Sequence, residues 1–184
     1  VLLVFMISLQ FGMYRLMIEN SLKAFTGHMQ VQARGYIDDQ KMRQTIPDVV
    51  ALAEDLRGEL DSEAVAARAT AFALASSKER SYGIAVFGVE PRFEPRVASI
   101  PGLVREGRYL QGDDEDVLLI GDALAKRLEV GVGDRVTLVG RATHEQMRRR
   151  TMTIVGIYDL DIKDLEEAQV FLSLAEAQTL FDLR

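Results

Sequence analysis

The residues able to do chemistry are few and poorly spaced for it. The chain carries two histidines, His28 and His144, and no cysteine, so neither a thiolate metal site nor a cysteine nucleophile is available. The histidines stand far apart, with no H-E-x-x-H pair and no G-x-S-x-G elbow. His28 therefore reads as a polar residue beside a membrane exit and not as a catalyst. Gly131-Val132-Gly133 starts like a dinucleotide-binding turn, but Val136 occupies the place of the third glycine, and the segment reads as an ordinary turn. No G-x-x-x-x-G-K-S/T loop is present, so any ATP hydrolysis, with its magnesium, belongs to another chain.

Charged clusters are the remaining candidates. Asp159, Asp161, Asp164, Glu166 and Glu167 offer oxygen ligands of the kind calcium takes, yet they lack the central glycine of an EF-hand and fit a solvated acidic loop. Asp113, Asp114, Glu115 and Asp116 read the same way. Arg141, Arg148, Arg149 and Arg150 lie in a basic turn. That turn is either a grip for an acidic partner, with Arg148, Arg149 and Arg150 as contact residues, or a charged hairpin tip that blocks edge pairing. A net charge of −6 argues against nucleic acid as the main partner, because phosphate binding needs a surplus of Lys and Arg on one face. With 48% hydrophobic and 27% charged residues, 184 positions suit one globular domain or two small lobes.

The element that must position everything else is the opening run. Val1 to Tyr14 holds no charged side chain; the first is Arg15. A full span needs roughly 20 apolar residues, so the run reads as the outer end of a transmembrane helix that begins upstream. A buried core helix is the alternative. A signal peptide would need a basic leader and a small-residue cleavage site, which Ser8-Leu9-Gln10-Phe11 does not offer. Phe11, Tyr14, Ile18, Leu22 and Phe25 recur every three or four residues, while Arg15, Glu19, Asn20 and Lys23 fall elsewhere around the axis. That pattern predicts an amphipathic stalk, about 37 Å long over positions 1–25 at 1.5 Å per residue, stopped at Thr26-Gly27.

Beyond the stalk, Met29, Val31 and Ala33 alternate with His28, Gln30 and Gln32, predicting a strand. A helix follows from Pro47, with Val49, Val50, Leu52, Ala53 and Leu56 on its apolar face and a weakened end at Gly58. Residues 63–77 are helical by alanine content, but Arg68, Thr70, Phe72 and Leu74 alternate with alanines as a strand would. A hairpin through Lys78-Glu79-Arg80 leads to a strand over Tyr82–Val89, and a Pro- and Gly-rich loop runs from Pro91 to Gly112. A strand over Val117–Ile120, a helix capped by Asp122, strands over Val136–Val139 and Thr151–Tyr158, and a strand over Gln169–Leu172 complete the middle. Ser173-Leu174-Ala175-Glu176 has capping-box spacing and opens a last helix with Ala177, Leu180 and Phe181.

The order of these parts resembles a known family. Gly27-His28-Met29-Gln30-Val31, Val86-Phe87-Gly88-Val89-Glu90-Pro91, Glu106-Gly107-Arg108-Tyr109-Leu110, the Leu119–Leu128 stretch, Val132-Gly133-Asp134-Arg135-Val136, Ile154-Val155-Gly156-Ile157-Tyr158 and Leu172–Gln178 follow one another after a membrane helix. This series is similar to the extracytoplasmic, MacB-like periplasmic core domain of FtsX-like ABC transporter permeases, most of all the lipoprotein-releasing LolC/LolE-type branch. The resemblance implies an α+β fold: the end of a transmembrane helix and stalk over 1–26, a porter-like α/β lobe from 27–91 and 168–184, and an inserted smaller, mainly-β lobe over 92–167. It also decides for a strand at 63–77. It implies a non-catalytic domain on the periplasmic or outer side of the bacterial inner membrane, in contact with membrane lipid. The partners implied are a cytoplasmic ATPase subunit that carries ATP and magnesium, a second permease copy or paralogue, and a periplasmic carrier or adaptor protein.

Two functions of different class follow. One is mechanotransmission, in which the stalk residues Phe11, Tyr14, Ile18, Leu22 and Phe25 carry ATP-driven movement outward to a lipoprotein or other lipid-linked substrate. The other is an extracytoplasmic ligand-sensing domain of a membrane receptor, which would enclose a ligand pocket. A membrane-tethered hydrolase is disfavoured by the missing nucleophile and metal sets.

Overall fold

Seven strands carry the fold, and most of them are written as alternation. The structure, a computed structural model, describes residues 4, 6–13, 29–36, 44–78, 80–142 and 146–183. A helical stretch α1 (6–13) comes first. Then follow α2 (Val49–Leu60), β1 (Arg68–Ser77), β2 (Arg80–Val89), α3 (Glu94–Val97), a 3-10 turn (Ile100–Leu103), β3 (Val104–Gly107) and β4 (Val117–Gly121). The chain continues with α4 (Asp122–Leu128), β5 (Arg135–Arg141), β6 (Met147–Tyr158), α5 (Lys163–Glu166), β7 (Gln169–Ser173) and α6 (Leu174–Phe181). The fold class is α+β, as expected.

The strands lie in the order β3-β6-β4-β7-β2-β1-β5, and β5 also pairs with β6, so six of them close into a ring. Length makes the closure: the first half of β6 pairs with β5, Met147 through Thr153, and its second half pairs with β4 in parallel and with β3. A register shift between Leu118 and Leu119 accompanies the change of neighbours, as a bulge does where a strand must bend. The 27–91 and 168–184 portions and the 92–167 portion are hydrogen-bonded to each other, through β4 with β7 and β5 with β1.

Inside the ring, every second residue faces one core. Ile84 and Val86, Leu118 and Ile120, Val136 and Leu138, Met152 and Ile154, Val170 and Leu172 meet there, with Leu180 and Phe181 of α6 and Leu124 and Leu128 of α4. The alanines of β1 are explained by this neighbour. Ala71 and Ala75 belong to the same core, and small side chains there leave room for α6. Gly88 and Gly140 continue the accommodation, since a Cβ on either would collide with Ala177 or with the Phe181 ring. The alanine content that looks helical is thus the inner face of a strand lying under a helix. On the outer side of β4 and β7, the 98–110 segment covers a second core of Val89, Ile100, Leu110, Leu119, Tyr158 and Phe171.

Four local expectations are corrected. Residues 29–33 form no strand; Met29 is 91% exposed, and alternation without a partner to accept the backbone bonds does not make one. Asp122 does not cap α4: it is the first helical residue and binds Lys126 at 2.5 Å, while Glu166 accepts the Ala123 N–H at 3.3 Å. Helix α2 runs through Gly58 and ends at Leu60, where Asp61 adopts the left-handed conformation. Arg148, Arg149 and Arg150 belong to β6 and not to a turn. The capping box is met in half, with Ser173 accepting the Glu176 N–H at 3.3 Å.

Candidate functional site

The three arginines expected to touch a partner are consecutive in β6, so the pleat sends them to opposite faces. Arg148 sits across from Gly140 and donates to the Thr179 carbonyl of α6 at 2.7 Å. Arg150 sits across from Leu138, hydrogen-bonds the Asp116 carboxylate and reaches Glu176 of α6 at 3.4 Å. Both therefore tie the sheet to α6 or to the loop before β4. The Arg150 contact holds Asp116 below the usual carboxylate range, whereas burial raises Glu176 against the opposing charge of Arg150. Arg149 alone points outward, is exposed, and has no ion-pair partner among the described residues.

Cross-strand register builds a surface around it. Arg149 opposes Val139, Val139 opposes Leu74, and Leu74 opposes Gly83, so these four stand in one row on the outer face. Phe72, two residues before Leu74, extends the row; the two are 58% and 48% exposed. Thr137 and Thr151 pair by their hydroxyls at 2.9 Å on the same face. The result is an apolar and hydroxyl-lined sheet face with Arg149 at its side.

A second constellation gathers where α2 meets the ring. The 90–94 turn carries two carboxylates four residues apart, and each holds an arginine from a different element. Glu90 pairs with Arg57 of α2, at side-chain exposures of 14% and 11%, and also accepts the Ala67 N–H at 2.7 Å. Glu94, 1% exposed, takes both the Nε and an η-nitrogen of Arg68 at 3.1 and 2.6 Å. Burial raises the Glu94 carboxyl, and the Arg68 charge opposes that shift. Arg57 further donates to the Val65 carbonyl at 2.9 Å and lies over the Phe93 ring, 3.4 Å from its centre. Tyr109 stands beside this pair, its hydroxyl buried without a hydrogen-bond partner among the described residues.

These placements can be set beside known proteins. Residues 1–183 match the family model of the MacB-like periplasmic core domain. The chain belongs to that family. Over 101 residues it is 35% identical to the lipoprotein-releasing system transmembrane protein LolE of Haemophilus influenzae, a match covering 52% of this chain and 24% of that protein. The chain thus corresponds to about a quarter of the length of the curated relative. The fold is similar to the extracellular domain of the noncanonic ABC-type transporter YknZ from Gram-positive bacteria, with a TM-score of 0.51 and 14% identity over 75% of this chain and 73% of that one.

In this MacB-like domain the other predicted residues fall as follows. Phe11 lies in α1 and is 72% exposed; Tyr14, Ile18, Leu22 and Phe25 lie outside the described residues, as do His28 and His144. Among the described residues no helix is long and apolar enough to cross a membrane. The acidic stretches are occupied by partners of their own. Asp159 pairs with Arg105 at 2.5 Å, Glu167 with Arg127 at 2.5 Å, and Asp114 takes Arg108 through both carboxylate oxygens at 2.6 and 2.7 Å. Glu166, 3% exposed, accepts the Leu160 N–H at 2.8 Å. Among the described residues no group of three or more His, Asp or Glu is placed to hold a metal ion.

Sequence reasoning missed Arg57, Arg68, Glu90 and Glu94. A signal for Arg57 did exist. It stands four residues after Ala53 and eight after Val49, so it interrupts the apolar stripe of α2 on the side that packs.

Proposed function

We propose that this chain is the periplasmic domain of an inner-membrane ABC transporter permease. In this reading it passes ATP-driven movement outward to release a lipoprotein or other lipid-linked substrate. The domain is not the catalyst. ATP and magnesium sit in a cytoplasmic ATPase subunit, and a second permease copy or paralogue completes the membrane part. The observation that carries the reading is α1: Met6, Ile7, Leu9, Phe11 and Met13 are all between 46% and 72% exposed, an apolar helix surface for which lipid is the natural solvent. In this reading such a helix precedes a mechanical outer domain, and the sequence carries the same apolar spacing on through the stalk residues Tyr14, Ile18, Leu22 and Phe25.

Contact with a periplasmic carrier or adaptor is assigned in this reading to Arg149, and its support is the outward position of Arg149 with Leu74 and Phe72 as apolar area beside it. The test is a helix break in the parent permease, reconstituted in proteoliposomes with its ATPase and a triacylated lipoprotein. Phe11→Pro costs about 3 kcal/mol of helix stability. The expected result is retained ATP hydrolysis with lipoprotein release lost. Release at the wild-type rate overturns the reading.

A further inference from the structure

Among the described residues α2 is the first packed element after α1 and the 29–36 segment, and it precedes every strand of the sheet, so a displacement passed up the backbone reaches α2 before it reaches the sheet. Its apolar attachment is small: Ala53 is its one buried residue, set against Ala67 and Leu174, with Val49 and Val50 half-buried beside them. What fastens the far end of the helix is one side chain. Arg57 reaches three places at once: the Val65 carbonyl in the α2–β1 connection, the Glu90 carboxylate just past the end of β2, and the Phe93 ring in the following turn. Glu90 in turn accepts the Ala67 N–H, and Glu94 in the same turn grips Arg68 at the start of β1. The planar guanidinium meets its carboxylate, carbonyl and ring partners from fixed directions, so rotation or sliding of α2 must break several bonds together.

We infer that Arg57 is the positioning residue of a rigid joint, through which movement of α2 is handed to β1 and β2 as one body. The inference rests on the force-transmission reading above. Slack at this joint would let α2 move while the sheet stays behind.

The parent permease with its ATPase provides the test. This chain has no cysteine, so Glu54→Cys on α2 and Ser81→Cys on β2, both exposed positions, introduce a label pair whose separation reports the joint directly. In the wild-type background the distance distribution should be narrow and identical in the nucleotide-free and vanadate-trapped states. In Arg57→Ala it should broaden, and release of a triacylated lipoprotein should fall roughly tenfold while ATP hydrolysis persists. Arg57→Lys keeps the charge for Glu90 but loses the second bond and the flat stacking, and should release at an intermediate rate. An unchanged circular-dichroism spectrum of the Arg57→Ala domain separates coupling from misfolding.

A wild-type distance that changes on trapping overturns the joint, and so does Arg57→Ala releasing at the wild-type rate. Phe11→Pro, run in parallel, tells the two levels apart. If Phe11→Pro stops release and Arg57→Ala does not, the joint fails alone. If neither affects release, force transmission fails with it.

Discussion

Helices α2 and α6 are both attached to the ring, and they are held by different physics. Leu174, Ala177, Leu180 and Phe181 of α6 are buried, and two of the ring's glycines sit where a side chain would strike the helix. Each large apolar side chain buried this way contributes about 1.5–3 kcal/mol, without demanding a particular direction of approach. Helix α2 buries only Ala53 and relies on directional contacts from Arg57. The apolar helix belongs to the core and gives it stability. The other is attached by a few bonds whose worth lies in geometry, the arrangement that the proposed force transmission requires.

The largest effect should come from the α6 side. Phe181 is fully buried inside the ring beside Gly140, so Phe181→Ala leaves a cavity where several strands meet and should cost about 3–5 kcal/mol. Chemical denaturation of the domain would show it as a lower midpoint with the slope unchanged. Arg57→Ala, by contrast, removes a partner from a half-buried carboxylate at the periphery and should cost about 1–3 kcal/mol. If the two losses were equal, the distinction between a core helix and an attached one would disappear.

That distinction was only partly legible in the sequence. The α6 half was visible: Ser173 to Glu176 gave the cap, and Ala177, Leu180 and Phe181 gave the apolar face. Strands β2, β4, β5, β6 and β7 were readable from branched and aromatic runs, because burial in one core imposes the same alternation on all of them. Strand β1, expected within 63–77, was ambiguous in composition and settled by the resemblance, because its alanines answer a helix about a hundred residues away in sequence, a relation that no local window contains. The α2 joint was hidden for a like reason. Arg57, Glu90 and Glu94 look like ordinary surface charges until the turn after β2 brings them together. The β6 arginines were found as a cluster, but their division between faces depends on the strand beginning at Met147, which the polar composition concealed.

Acidity probes both helices at once. Burial raises Glu94 beside the α2 joint and Glu176 on α6, Arg68 opposing the first shift and Arg150 the second. A carboxyl with a raised folded-state pKa binds more protons folded than unfolded, so stability declines as pH rises from the ordinary value of 4.5 through the folded-state pKa. Glu94→Gln should flatten that decline more than Glu176→Gln, because its side chain is 2% exposed against 11%. Unfolding midpoints measured from about pH 4.5 to 7 decide the order. A steeper slope in Glu94→Gln would show that its pairing with Arg68 outweighs its desolvation.

The smallest stability effect belongs to Arg149, and that is what makes it informative. Its neighbours Arg148 and Arg150 serve α6 and Asp116, so Arg150→Ala leaves the largely buried Glu176 without its cation and should lower stability by about 1–3 kcal/mol. Arg149 makes no ion pair among the described residues, and Arg149→Ala should leave the stability within about 0.5 kcal/mol of the parent. If the outer face receives an acidic carrier, the same substitution should slow its association, and the loss should shrink as salt is raised, since a rim cation acts mainly on encounter. Surface-bound domain exposed to the carrier at low and high ionic strength would measure it. An association rate insensitive to both Arg149→Ala and salt would move the contact off this face, while leaving Arg148 and Arg150 with the structural roles their bonds give them.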